Sequence, residues 1–429
     1  MDPFDLLHPG VQYHLANTLR WSGLRPTQAQ AVEPILHGFD TLVLAPTAGG
    51  KTEAALFPVL SRMATEDWQG VSVLYVCPLR ALLNNLQPRI DGYCRWLGRS
   101  AAVWHGDIGQ GQRRRILVDR PDVLLTTPES LESMLVSTKV DPRVLFSGLR
   151  TVIVDEIHAF AGDDRGWHLL AVLERLARIA GREIQRIGLS ATVGNPDELL
   201  SWLQGGFRHR EKTVVAPGAP ADTPDPDITV DYVGSVLNAA KVVASLHVGE
   251  KRLVFVDSRR LAEELGAALR GHGVETYISH SSLSAAERRR SEAAFADARD
   301  TVIVATSTLE LGIDVGDLDR VIQVGSTRTV ASFLQRLGRT GRRPGTTRNC
   351  LFLCLEDEQV LLAAGMLKRW SDGWVEPIAP PPHPRHIAAQ QLMALCLQER
   401  RIGLGEWRQW WGDLPIFDDS VDEIFAHLL

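Results

Sequence analysis

Apolar positions along the chain alternate between short β-branched runs and stretches with apolar residues three and four apart, and they do so in two separate regions. The first region predicts strands at Thr41–Leu44, Val71–Val76, Ala101–Trp104, Val123–Thr126, Thr151–Val154 and Arg186–Leu189. The second predicts them at Arg252–Val256, Glu275–Ser279, Thr301–Ala305, Arg320–Val324 and Cys350–Leu353. Strand–helix alternation of this kind is the pattern of an α/β fold with parallel sheets. A proline-rich stretch within 215–228 can pack neither a helix nor a central strand, so it reads as a linker between lobes at 1–214 and 229–372. A second proline cluster, Pro377–Pro384, introduces a short third region, 373–429. Helical patterns there cover His386–Gln398, Leu404–Trp411 and Asp422–Leu429, and Trp407, Trp410 and Trp411 share one helix face, where core packing is favoured over an exposed docking surface.

Length changes this picture little: 429 residues suit two or three domains. A composition of 45% hydrophobic and 23% charged residues is that of a globular protein, and no run is long and apolar enough to span a membrane. The first residues, MDPFDLLHPG, lack a basic stretch followed by an apolar one, so a cytoplasmic location is the default expectation. Five scattered cysteines with no C-x-x-C pair fit a reducing compartment, and Cys350 and Cys354 flank a strand-like run rather than a metal site. The net charge of −6 neither announces nor excludes nucleic acid, since phosphate contact depends on local clusters. Arg113–Arg115 and Arg288–Arg290 read equally well as solvated helix faces and as phosphate tracks; the run from Arg336 to Arg348 is a third cluster.

The first chemical signal follows the first strand. Ala45-Pro46-Thr47-Ala48-Gly49-Gly50-Lys51-Thr52 links it to an amphipathic stretch, in the strand, small-residue turn and helix order that a phosphate needs. Backbone N–H groups of Thr47, Ala48, Gly49 and Gly50 can wrap the phosphates, Lys51 can neutralise them, and Thr52 can offer its hydroxyl to magnesium. Ala45, Ala48 and Gly49 depart from the commonest phosphate-loop pattern but stay small enough for close approach. ATP with Mg2+ is the expected ligand pair.

Val152-Ile153-Val154-Asp155-Glu156-Ile157-His158 is an apolar strand ending in two carboxylates, at the sheet edge where α/β folds hold their ligands. Asp155 suits magnesium held through water beside Thr52, and Glu156 suits the base that polarises an attacking water. In the second lobe, Gln335-Arg336-Leu337-Gly338-Arg339-Thr340-Gly341-Arg342 offers cations for the terminal phosphate. Arg339 and Arg342, three apart, point at one target if that segment is helical; a basic helix end for nucleic acid is the other reading.

Together these motifs resemble the superfamily 2 DExH-box helicases, in order over roughly residues 20 to 355. The resemblance implies two RecA-like lobes in tandem, an adenine-reading Gln28, a coupling segment Ser190-Ala191-Thr192, a His158 that meets Gln335, and an Asp314 near the ribose. It makes Arg339 and Arg342 the arginine fingers. It also implies nucleic-acid contacts at Pro78, Arg80, Gly106, Thr127, Pro128 and Glu129, and in the second lobe at Ser258, Arg259, His280, Thr306 and Thr308. Such contacts hold the sugar–phosphate backbone through amides and hydroxyls and need no large basic patch.

DEIH, the string ATSTLELGIDV and Ala331–Arg336 are most similar to the large helicase-related (Lhr) family. That likeness implies a bacterial or archaeal enzyme tracking single-stranded DNA 3′-to-5′ and opening DNA or RNA–DNA duplexes in repair or processing. It also implies a winged-helix-like C-terminal module, of which 373–429 would be the start in a truncated chain or a compact relative. A monomer is expected, with room for further domains or partner proteins, and no membrane partner. The alternatives are a DEAD-box-like RNA helicase that opens duplexes locally, an ATP-binding clamp without turnover, and a phosphate-loop switch or kinase.

Overall fold

The computed structural model describes every residue except 1, 47–48, 219–223, 281–299, 307–317, 342, 344, 404, 419–420 and 429, and the side chains of 427–428. Thr47, Ala48, Thr308, Asp314 and Arg342 therefore lie outside the described residues.

The first sheet is built from β1 (Asp40–Leu44), β2 (Val73–Val76), β3 (Ala101–Trp104), β4 (Val123–Thr126), β5 (Thr151–Val154), β6 (Gln185–Ser190) and β7 (Lys212–Val215). Its order is β3-β4-β2-β5-β6-β1-β7, all parallel. Helices cover both faces, which is why the central strands read as unbroken apolar runs. The second sheet comprises β8 (Asp227–Tyr232), β9 (Arg252–Phe255), β10 (Glu275–Ser279), β11 (Thr301–Ala305), β12 (Arg320–Val324) and β13 (Asn349–Cys354). Its order is β10-β11-β9-β12-β13-β8, again all parallel. Both are RecA-like lobes.

Two strands escape the apolar pattern, and both sit at sheet edges. β7 pairs only with β1, and β8 pairs only with β13. Both are partly exposed, so neither carries the continuous apolar run that marks a buried strand. Their pairing also trims the linker, since β7 ends at Val215 and β8 begins at Asp227.

The chain divides into two compact units, one containing Gly49–Pro217 with Pro377–Leu429, the other Gly218–Glu376. The C-terminal segment thus packs on the first lobe. Helix Arg385–Glu399 and the three tryptophans enter the core that covers one face of the first sheet. The expected helix over Leu404–Trp411 is a 3-10 turn, Trp407–Trp410, bracketed by Gly403, Gly405 and Gly412, the last with φ of 53°. Trp407, Trp410 and Trp411 are all buried, as core residues should be; Trp411 stacks on Phe417 at 4.0 Å and donates its indole N–H to the Ala171 carbonyl.

Polar contacts lock the same segment down. The buried Arg175 guanidinium donates to Glu132, Gln391 and Gln398 at 2.7–3.1 Å. Glu132 also accepts from Gln391 and meets His168; burial alone would raise its pKa, but His168 and Arg175 hold it down at about 2. Asn195 brackets the backbone of Ile378, donating to its carbonyl at 3.0 Å and accepting its N–H at 2.7 Å. Trp167 donates to the Pro381 carbonyl at 2.8 Å.

Trp411→Ala should destabilise the first lobe by about 3–5 kcal/mol, because truncating a fully enclosed indole leaves a cavity. The urea midpoint of that lobe reads the effect; an unmoved midpoint would mean that the C-terminal segment does not melt with it.

Candidate nucleotide and nucleic-acid site of the first lobe

The order of the first sheet splits its C-terminal edge into two halves. On one side, β5, β6 and β1 adjoin, so the loops after them meet. These are the loops that carry Asp155–His158, Ser190–Thr192 and the phosphate loop.

The phosphate loop is tied to its neighbour by the Ala45 N–H, which donates to the Ser190 carbonyl at 3.2 Å. It enters helix Lys51–Thr65 through Gly50, whose φ of 76° favours glycine and whose position leaves no room for a Cβ, with Gln28 Nε2 2.5 Å from where one would stand. No side chain caps this helix, so its first-turn N–H groups remain available to an anion. Lys51 folds back on the loop and donates to the Ala45 carbonyl at 2.9 Å. Gln28 is buried; its Oε1 accepts the Arg25 N–H at 3.0 Å, while its Nε2 donor has no partner among the described residues. A buried amide donor left unpaired beside an uncapped phosphate loop fits the edge of a nucleoside ligand. Gly49, Gly50, Lys51 and Thr52 are thus brought together with Gln28.

Asp155 is the most constrained carboxylate here. Its Oδ2 accepts from Tyr75 of β2 at 2.8 Å and its Oδ1 accepts the Glu156 N–H at 2.9 Å. Burial, then the charge of Glu156, raise its pKa to about 6 against the pull of Lys51. Glu156 itself adopts φ of 49°, a left-handed conformation rare for a β-carbon-bearing residue, and its carboxylate lies 3.5 Å from His158 Nε2. His158 Nδ1 lies 3.0 Å from Ser190 Oγ. Burial and the Lys51 charge depress the His158 pKa to about 4, so the ring is neutral at pH 7. Its single N–H suits Nε2, which faces an acceptor-only carboxylate, leaving Nδ1 to accept from the serine. Thr192, by contrast, is exposed.

Among the described residues no group of three or more His, Cys, Asp or Glu side chains could hold a metal alone. Thr52 and Asp155 fit a magnesium ion that takes its remaining ligands from phosphate and water.

The other half of the edge, β3, β4 and β2, carries the expected nucleic-acid residues. Arg80 opens helix Arg80–Arg95, pairs with Asp107 at 2.7 Å and lies over Gly106, where a Cβ would stand 3.0 Å from its guanidinium. Thr127 caps helix Pro128–Val136 by accepting the Ser130 N–H. Arg165 ties this half together, donating to the Pro78 carbonyl at 3.1 Å and to Glu129 at 2.8 Å. Three residues here were not expected: Tyr75, Arg165 and Arg89, which donates to Thr52 Oγ1 at 3.3 Å.

In the second lobe, Ser258 caps helix Arg259–Gly271 by accepting the Leu261 N–H, and Arg259 is that helix's first residue. His280 is buried, with Nε2 2.8 Å from Glu263, and Thr306 follows β11. One expectation needs correction. The helix bearing Gln335 ends at Leu337, where the Thr340 hydroxyl turns back to the Leu337 and Asn349 carbonyls. Arg339 therefore lies beyond the helix and is buried, so the helical condition attached to its spacing is not met at Arg339.

These features define a phosphate-loop nucleotide-binding lobe, followed in the chain by a second RecA-like lobe. The DEAD/DEAH box helicase family matches residues 25–199, and the helicase conserved C-terminal domain matches 235–344. The chain thus carries a DEAD/DEAH box helicase domain followed by a helicase conserved C-terminal domain. It is 34% identical to the Lhr helicase/probable uracil glycosylase of Mycolicibacterium smegmatis over 89% of this chain and 29% of that one. It is 30% identical to the ATP-dependent helicase Lhr-Core of Methanocaldococcus jannaschii, over 89% and 47% respectively. The structure of Mycobacterium smegmatis helicase Lhr bound to ssDNA and AMP-PNP is similar with a TM-score of 0.86 and 32% identity, covering 100% of this chain and 58% of that one. The chain thus spans less than half the length of these curated relatives. Among the described residues no helix is long and apolar enough to cross a membrane.

Asp155→Asn should raise the melting temperature of the ligand-free protein at pH 7.5. The folded-state pKa lies above the ordinary carboxylate value of 3.8, so ionisation costs stability fully above about pH 6 and not at all below 3.8. The gain should shrink as pH falls from 7.5 towards 4; melting curves at three pH values would test it, and a pH-independent gain would contradict it.

Proposed function

We propose that the chain is an ATP-dependent helicase or translocase acting on single-stranded nucleic acid, with DNA as the favoured strand. The observation that carries this reading is the divided sheet edge, with nucleotide chemistry on β5, β6 and β1, backbone-contact residues on β3, β4 and β2, and Tyr75 of β2 bonded to Asp155 between them. The Lhr relatives support the same reading, as does the single-stranded DNA named with one of them.

Gln28 offers a free donor to the base, while Gly49, Gly50 and the uncapped helix end receive the phosphates alongside Thr47 and Ala48. Lys51, once released from the Ala45 carbonyl, neutralises the terminal phosphates. Magnesium would screen phosphate charge, with Thr52 and Asp155 as its protein partners. Glu156 takes the proton of the attacking water, and His158 relays the state of that carboxylate to Ser190. From the second lobe, family pattern assigns Gln335, Arg339, Arg342 and Asp314 to the nucleotide. Phosphoryl transfer depends mainly on such positioning and charge stabilisation. A 3′-to-5′ direction and activity on RNA–DNA hybrids belong to this proposal as its finer parts.

Glu156→Gln should retain ATP affinity and lose turnover by about 10²-fold or more, the contribution of a general base. ATPase rates of wild type and variant with single-stranded DNA, RNA and hybrid make the test. Undiminished turnover would remove Glu156 from its role, and a wild-type rate indifferent to every polynucleotide would remove the helicase reading.

A further inference from the structure

Beside the nucleic-acid half of the sheet edge lies a cavity of about 810 Å³, between helices Gln110–Asp119 and Pro128–Val136. One wall is the family's own contact surface, with Arg80, Gly106 and Glu129. Other lining residues stand outside the motif positions: Arg113 and Arg114, with Ser133, Ser137 and Lys139.

The charges of this cavity are unevenly spent. Arg80 is paired with Asp107, and Glu129, the one acid in the lining, is held by Arg165. Arg113 is fixed in place: it donates to the His105 and Gly106 carbonyls at 3.3 and 3.0 Å and stands 5.8 Å from the Trp104 ring. Arg114 and Lys139 are exposed and make no ion pair among the described residues. Two cations without an ion pair among the described residues, in a concavity that also presents Ser133 and Ser137 and whose lining holds no acid but the paired Glu129, are the donor set of a phosphodiester site. A cationic concavity that continues a backbone-contact surface is the form in which single strands are held.

We propose that this groove is an additional backbone subsite, in which Arg114 and Lys139 each take one phosphate of a single strand running on from the Thr127–Glu129 surface. The inference rests on the single-strand reading above and extends it to residues outside the motifs. It also resolves the ambiguity of the Arg113–Arg115 run: Arg113 is a structural brace, Arg114 a phosphate ligand, and Arg115, which does not line the cavity, a solvated charge.

The test is the salt dependence of binding to a fluorescein-labelled oligothymidylate between about 50 and 200 mM salt. Arg114→Gln with Lys139→Gln should flatten the slope of log K against log salt by about 1.4, at about 0.7 per single-strand phosphate, and weaken binding by on the order of 20-fold at 0.1 M. Arg114→Lys with Lys139→Arg should restore both, and Arg115→Gln should change neither. ATP affinity and the ATPase rate without nucleic acid should match wild type in all variants. An unaltered slope in the double Gln variant overturns the subsite. So does an equal loss in Arg115→Gln, which would mean that bulk charge alone matters, and so does a loss confined to blunt duplex DNA. Failure of wild type to bind the oligonucleotide would remove the single-strand reading and the subsite with it.

Discussion

Everything in the first lobe turns on how a buried carboxylate, Asp155, is held at the junction of β2 and β5. Burying a charge in protein is costly, and here a second carboxylate follows immediately in the chain. Three interactions make the arrangement tolerable: the Tyr75 hydroxyl, the Glu156 N–H and the nearby ammonium of Lys51. None of them offsets the burial of the carboxylate and the repulsion from Glu156 in full, so its pKa stays raised. A site poised this way gains from a bound divalent cation more than a relaxed one would. The left-handed backbone at Glu156 is a second strain stored at the same point, where it aims the carboxylate at His158.

The C-terminal segment matters to that site through two of its anchors. Glu132, caught between Arg175 and Gln391, is one turn along the helix from Glu129 and Ser130. Asn195, which brackets Ile378, follows the Ser190–Thr192 loop by three residues. The segment therefore fixes one helix of the nucleic-acid half and one loop of the nucleotide half against the same body. Removing one member of a buried ion pair such as Arg175–Glu132 typically costs 3–5 kcal/mol, so these anchors are rigid rather than incidental.

Much of this was legible in the residues. β3, β4, β5, β10, β11 and β12 lie where their apolar runs end, because most are buried on both faces and each run has one interpretation. β7 and β8 were not legible, since an edge strand needs no unbroken apolar pattern and both border the prolines of the linker. The phosphate loop and the carboxylate pair announced themselves because their chemistry requires contiguous residues. Tyr75, Arg89 and Arg165 did not, because each acts through a contact with a residue 37 to 87 positions away that only the folded sheet brings near. The turn of Thr340 that ends the Gln335 helix is of the same kind, since its partner Asn349 lies on the following strand.

Under the proposed function, an acidic chain needs its positive charge to be local, and the first lobe offers one arrangement for that. Arg80 and Arg165 are each bound to a carboxylate, so they contribute shape and donor geometry more than net charge. Arg165 in particular spends its donors on Pro78 and Glu129, which fixes the ends of β2 and β4 relative to one another. Thr127 and the helix that it caps add neutral donors. Among the residues lining the adjoining cavity, Arg114 and Lys139 are exposed and make no ion pair among the described residues. On the proposed reading, geometry would come from the braced residues and salt-sensitive attraction from the unbraced ones, a division that would keep a strand aligned without binding it too tightly to move.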